Sequence, residues 1–134
     1  MGLFKSKNIT AANTTLTKWF NRYIRQRDTN EKGIGECISC GVKVDISKGE
    51  GDAGHFIPAN ILSTRWNEYN VNLQCKHCNL TANGMMYWHG KGIALKYGKE
   101  IPEELLKLSK EKVKLSKEDR MEMARYYKGL CNEN

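Results

Sequence analysis

Asn70-Val71-Asn72-Leu73-Gln74-Cys75-Lys76-His77-Cys78-Asn79 is the stretch from which this chain is best read. It closes on a C-x2-C pair, and an earlier pair, Cys37-Ile38-Ser39-Cys40, is separated from it by 34 residues. A tight turn lets each pair offer two thiolates to one ion, so the two pairs complete a tetrahedral four-thiolate zinc site. A closed site of that kind leaves no open position, and the zinc expected here folds the domain without doing chemistry. Cys131, the fifth cysteine, has no partner at ligand spacing and reads as a free thiol. The odd number argues against a disulfide framework.

Outward from this frame the sequence divides into three parts. Residues 1–30 form a basic arm in which Leu16, Trp19, Phe20, Tyr23 and Ile24 recur at i, i+3, i+4, i+7 and i+8. That stripe predicts an amphipathic helix over about residues 14–27, with Arg22 and Arg25 off the apolar face. The aromatic positions on it read as core packing in preference to base stacking. Residues 31–98 hold the cysteine frame. Glycines at 33, 35, 41, 49, 51 and 54 and the alternation Val42, Val44, Ile46 read there as hairpins. After Cys78 the pattern turns helical and stops at Tyr97-Gly98. In residues 99–134, Pro102 with Glu103 and Glu104 makes a first helical turn. Ser116 with Asp119 makes a capping box for a last helix ending near Leu130. The expected class is α+β, a small core framed by zinc with flanking N- and C-terminal helices.

Charge narrows the function classes. The 134 residues carry 22 Lys and Arg against 15 Asp and Glu, a formal charge of +7. The excess is N-terminal: residues 1–30 hold six bases, Lys5, Lys7, Lys18, Arg22, Arg25 and Arg27, against Asp28. Cations so placed suit a polyanion, because phosphate contacts release counterions whatever the base sequence; the plain alternative is a solvated helix face. Lys18, Arg22, Arg25 and Arg27 are the candidate DNA contacts. With a mean hydropathy of −0.65, no apolar stretch of membrane-spanning length and no signal-peptide core in the first ten residues, a soluble cytoplasmic protein is expected.

Between the two knuckles lies Asp52-Ala53-Gly54-His55-Phe56-Ile57-Pro58. A His after a strand, followed by the Asn-rich stretch and its C-x2-C, resembles the HNH (ββα-metal) nuclease motif over about residues 37–83. Within those proteins the chain is most similar to the lambdoid phage NinG/Rap recombination family. The words that carry the likeness are C-I-S-C-G at 37–41, A-G-H-F at 53–56, T-R-W-N-E-Y-N-V at 64–71, Q-C-K-H-C-N at 74–79 and K-Y-G at 96–98. It reaches over residues 16–100.

The resemblance implies that His55 is the general base taking a proton from the water that attacks a phosphodiester, work that suits a neutral imidazole near pH 7. It implies that Asn70 braces the loop holding that base and that Asn79 stands at the third motif position, on the helix. It also implies a catalytic Mg²⁺ or Mn²⁺ beside the structural zinc. Asn79 and Asn83, at i and i+4, would turn two amide oxygens to that hard cation. Most HNH enzymes place Asp or His before the base; here that residue is Gly54, and Asp52 is the nearest carboxylate to stand in, ahead of Asp45 and Glu68. The position after Gly84 is Met85, where NinG-like proteins often carry a polar residue. Arg65 is a candidate phosphate contact just before the Asn loop.

The function so implied is a divalent-metal-dependent DNA endonuclease of phage recombination, acting on branched DNA such as Holliday junctions or D-loops in the bacterial host cell. Cutting two strands suggests a homodimer, with a recombinase as a further partner. Two rivals stand beside it. One is a non-catalytic zinc module that binds DNA; the other is a restriction or homing-type HNH nuclease, for which no additional base-reading segment is seen.

Overall fold

The computed structural model describes residues 2–131, with side chains at positions 9–81 and 85–131. The helix expected from residue 14 begins well before it: α1 runs Gly2–Arg27. The stripe nevertheless marks the packed part, since Leu16, Phe20 and Ile24 are fully buried while Trp19 and Tyr23 pack beside them.

Two small antiparallel sheets follow. β1 (Ile34–Glu36) pairs with β2 (Lys43–Asp45) as a hairpin around the first cysteine pair, and a 3-10 turn, Ile46–Lys48, ends it. The anticipated alternation is confined to that hairpin: Val44 is buried, but Val42 lies exposed in the knuckle turn and Ile46 belongs to the 3-10 turn. β3 (Asp52–His55) does not pair with β2. It crosses to β4 (Val71–Gln74), in the register Asp52↔Gln74, Ala53↔Leu73, Gly54↔Asn72 and His55↔Val71. The intervening chain carries the short helix α2 (Leu62–Arg65).

Downstream of β4 the chain is helical, in α3 (Lys76–Leu80), α4 (Ala82–Tyr97), α5 (Ile101–Ser109) and α6 (Lys117–Leu130). Their ends follow the sequence signals. Gly98 closes α4, Pro102 stands in the first turn of α5, and Ser116 and Asp119 exchange side-chain and backbone bonds of 3.0 and 2.9 Å at the start of α6.

One apolar cluster joins α1, β3, β4 and α6 through Leu16, Phe20, Ile24, Ala53, Trp66, Val71, Ala124 and Tyr127. Phe20 meets the Tyr127 ring edge-on at 4.8 Å. Each large aliphatic or aromatic side chain buried there contributes about 1.5–3 kcal/mol, so α1 is docked firmly on the β3–β4 sheet and α6 on the outer side of α1. A second cluster, Phe56, Ile57, Ile93 and Leu105, holds α4 and α5 under the segment that follows β3. α4 also lies close against the first knuckle, where a Cβ on Gly92 would sit 2.1 Å from the Ile38 carbonyl oxygen.

Polar groups tie the layers together. Asp28 accepts from Arg27 Nε and a terminal guanidinium nitrogen at 2.8 and 2.9 Å, from Lys96 Nζ at 2.8 Å and from the Leu73 amide at 3.0 Å. Burial alone would raise this carboxyl, but the Arg27 bonds and charge, Lys96 and the Leu73 amide outweigh it and hold the group below the usual carboxylate range. Nearby, Asn72 Oδ1 accepts from the Tyr97 hydroxyl at 3.0 Å and from Arg27 at 3.1 Å. Asn72 Nδ2 donates to the Tyr69 carbonyl at 2.9 Å and stands 3.3 Å from Nε2 of the fully buried His89. That donation makes Nε2 the acceptor, so His89 is neutral; burial, with a smaller contribution from His55, pushes its pKa down to about 3.

Two outcomes follow from these ties. Asp28→Asn is expected to cost about 2 kcal/mol, read by urea unfolding of zinc-replete protein, because it strips a half-buried guanidinium and a partly exposed ammonium of their counter-charge. For His89, the unfolded chain gains its proton near the ordinary value of 6.5. Below that pH the unfolded state binds more protons, and stability falls with pH by up to about 1.4 kcal/mol per unit. In urea unfolding between about pH 7.5 and 5, His89→Gln should show a shallower acid slope than wild type.

Candidate functional site

The four knuckle cysteines converge. Cys37 and Cys40 flank the turn after β1, and Cys75 and Cys78 flank the start of α3. Their sulfurs all lie within 4.8 Å of one another, with Cys40 and Cys75 Sγ 3.8 Å apart. Zinc–sulfur bonds of about 2.3 Å would place tetrahedral thiolates about 3.8 Å apart, so the set fits a metal such as zinc. Each knuckle also aims a backbone amide at a sulfur, Cys40 N–H at Cys37 (3.5 Å) and Cys78 N–H at Cys75 (3.4 Å). Burial and the neighbouring thiols push the Cys78 thiol up, and the charge of a bound metal is what would keep all four ionised. Cys131 stands apart, its sulfur 3.6 Å from the Trp19 carbonyl oxygen.

His55 ends β3, and its Nε2 lies 2.8 Å from the Arg65 carbonyl oxygen. A carbonyl only accepts, so Nε2 carries the hydrogen and Nδ1 the lone pair. Burial lowers the imidazole pKa, the nearby Arg65 charge adds to that, and the bond to the carbonyl opposes both. The result is a neutral ring at pH 7 able to take a proton on Nδ1. The chain after His55 is fixed by the fully buried Asn70. Asn70 Oδ1 accepts from the Ile57 amide at 2.7 Å, and Nδ2 donates to the Ile57 and Thr64 carbonyls at 3.0 Å each. Asn70 thus ties the backbone at Ile57 to that at Thr64 behind His55.

Side chains alternate along β3, so Asp52 and Gly54 face α3 while His55 faces Arg65. On the α3 side Asp52 and Asn79 come together: Asn79 Nδ2 donates to Asp52 Oδ2 at 3.0 Å, and Lys76 Nζ reaches Asp52 Oδ1 at 2.5 Å. Gly54 has no room for a side chain. A Cβ there would stand 1.8 Å from Gln74 Oε1 and 3.0 Å from Asn79 Oδ1. Gln74 itself is buried and donates to Ser39 Oγ at 2.8 Å. A carboxylate and two amides thus surround the backbone just before His55, and Gln74 is a neighbour that spacing alone does not single out. The expected i and i+4 pair is corrected: extended backbone at Thr81 separates α3 from α4, so Asn79 and Asn83 do not share one helix face, and the Asn83 side chain lies outside those described. Asp45 and Glu68 are engaged elsewhere, Asp45 in capping the 3-10 turn through Ser47 and Glu68 in accepting from the Tyr23 and Tyr127 hydroxyls.

Among the candidate DNA contacts, Arg27 is a correction. Its guanidinium is spent inside the fold on Asp28, the Glu68 and Val71 carbonyls and Asn72, so it is a structural clamp. The charge count reveals a cation there but not the acceptors that tertiary packing brings to it. Lys18, Arg22 and Arg25 line one open groove beside α1. The Arg65 guanidinium stacks 4.8 Å over Trp66 and shares a shallow depression with Thr10, Thr14, Thr17 and Lys18.

Among known proteins, the family described as Bacteriophage Lambda NinG protein matches residues 3–134. Protein ninG of Escherichia phage lambda is 31% identical over 86 residues, which is 63% of this chain and 39% of that protein. The chain therefore aligns with well under half the length of that relative. No solved structure matches. None of the described helices is long and apolar enough to cross a membrane.

The cysteine cluster predicts one tightly held zinc per chain by plasma mass spectrometry of the purified protein. Cys78→Ser should lose the ion and, with it, the folded circular dichroism spectrum, since the binding free energy of a structural zinc is folding free energy.

Proposed function

Since the chain belongs to the NinG family, we propose that it is a divalent-metal-dependent DNA endonuclease of the HNH type that serves phage recombination by cutting branched DNA, such as Holliday junctions or D-loops. The observation that carries this reading is His55, held by Nε2 on the Arg65 carbonyl with Nδ1 left to accept, beside a loop clamped by Asn70. The order β3–β4–α3, with Asn79 on the helix, supports this reading.

His55 Nδ1 takes a proton from water as the water oxygen forms its bond to phosphorus. The bond from phosphorus to the 3′ oxygen breaks, and that oxygen leaves with a proton from solvent. Asn70 keeps the imidazole and its loop from drifting, and the Arg65 carbonyl keeps the proton on the far nitrogen. Mg²⁺ or Mn²⁺ fits the oxygen donors around Gly54, with Asp52 and Asn79 the residues that would hold it. Bound there, it would stabilise charge on the phosphate and the leaving oxygen. Cutting both strands of a branched substrate favours a homodimer, and a recombinase is the partner this role would call for.

The reading of a DNA-binding module without catalysis draws on one feature, the Lys76 ammonium that already neutralises Asp52. Cleavage of matched four-way-junction and linear duplex DNA in Mg²⁺ or Mn²⁺, by zinc-replete protein, separates the two. Wild type should cut the junction preferentially. His55→Ala should bind equally but cut about 10²–10⁴-fold more slowly. The acid limb of the wild-type pH profile should fall below the ordinary histidine value of 6.5, because activity is lost only where the neutral base takes up a proton. Undiminished cleavage by His55→Ala overturns the mechanism, and DNA binding without cleavage by wild type establishes the module.

A further inference from the structure

Beside α1, on the side of the β1–β2 hairpin, runs an open groove of about 1110 Å³. One wall is the helix face bearing Lys18, Arg22 and Arg25, spaced i, i+4 and i+7. The other is the hairpin end, with Lys32 and Ser47. Glu31 is the acid among its lining residues, against four cations.

The far wall is built firmly. Asn30 Oδ1 accepts from the Lys32 and Ile34 amides at 2.9 and 3.0 Å, and the Gly33 amide bonds the Asn30 carbonyl at 2.9 Å. Lys32 is therefore presented from a fixed turn. On the near wall Arg22 lies 5.6 Å over the Trp19 ring, which Lys18 and Lys128 also approach at 5.0 and 5.3 Å, so positive charge is concentrated along this end of the α1–α6 pair. From Lys18 to Arg25 the helix rises about 10 Å, the axial length of about three nucleotides of one strand.

We propose that this groove is a track for the phosphodiester backbone of one nucleic-acid strand, contacted from the helix by Lys18, Arg22 and Arg25 and from the opposite wall by Lys32. It deepens the endonuclease reading by naming a surface of the same chain that holds a strand, and for that biological sense it rests on that reading. Phosphates of the strand lie between the row of cations on α1 and Lys32 opposite it, and its bases face out of the open side. Binding of this kind is indifferent to sequence and steep in salt.

The test is fluorescence anisotropy on the full-length, zinc-replete protein, in buffer free of added divalent ions and of chelators, against labelled single-stranded DNA, single-stranded RNA and duplex DNA of equal length. A glutamate-rich peptide serves as the acidic-protein arm. Replacing Lys18, Arg22, Arg25 and Lys32 together by Ala should weaken single-strand binding at least tenfold and flatten its salt dependence by about 0.7 in log–log slope for each phosphate no longer neutralised. The exposed single change Lys32→Glu, on a surface turn remote from the core, should weaken binding in the same direction and serves if the fourfold variant does not fold. Equal weakening on DNA and RNA assigns the track to the backbone both share, and weakening on DNA alone assigns it to DNA. Unchanged affinity and slope in both variants, or equal binding of the glutamate-rich peptide, overturns the proposal. A wild type that binds through this groove yet cuts nothing keeps the track and removes the nuclease. One that cuts while the groove variants bind normally does the reverse.

Discussion

Asp28 is the buried carboxylate on which three separate parts of the chain meet. It receives the guanidinium that ends α1, the amide that opens the Leu73 position of β4 and the ammonium from the last turn of α4. A charge at that depth costs several kcal/mol to desolvate, and only a full set of donors in good geometry offsets it. The three elements are therefore free to adopt few other relative placements. Together with the apolar cluster under Leu16, Phe20 and Ile24, the carboxylate sets the register of the cationic face of α1 against the β1–β2 hairpin. The cavity beside α1 is to that extent a by-product of an ion pair in the interior.

The cysteine frame works by a different means toward the same end. The Ile38 amide bonds the Leu73 carbonyl at 2.8 Å, so the first knuckle is hung on β4 even before the sulfurs are considered. A metal bridging the four sulfurs would lock α3 to the hairpin and hold Asn79 against β3. Two short sheets of three- and four-residue strands have little independent stability; the frame and the docked helices α1 and α6 are what let them carry a side chain as exacting in its placement as His55.

How much of the molecule is legible in the chain follows from the range of the interactions concerned. The stripe of Leu16, Phe20 and Ile24, the Ser116–Asp119 box, the stop at Gly98 and the two C-x2-C pairs are local patterns, and the folded molecule realises each of them in place. The apolar stripe puts the start of α1 too late because residues 2–13 lack such a stripe, while the helix itself needs none. The pairing of β3 with β4 spans a loop that no turn signal announces, so the glycine-rich stretch suggests hairpins where only one forms. Arg27, His89 and Gln74 escape a reading of the sequence for a shared reason. Each is defined by partners from distant parts of the chain, and an Arg seen alone carries no sign of whether its five donors end on phosphate or on buried carbonyls. Asn70 is the exception: a motif word from a family resemblance points to a buried amide that composition would leave on the surface.

Gly54 and Gln74 occupy what is in effect one volume. A side chain at 54 collides with the amide at 74, and shortening Gln74 by itself opens a hole and strands the Ser39 hydroxyl that the amide now satisfies. Placing an Asp before His55, one of the two residues that most HNH proteins carry there, therefore requires two changes, either of which alone leaves a worse molecule. The pair is an epistatic lock: between the glycine–glutamine solution and the acid–small solution lies a valley that single substitutions do not cross, and sequences are expected to be found on one side or the other.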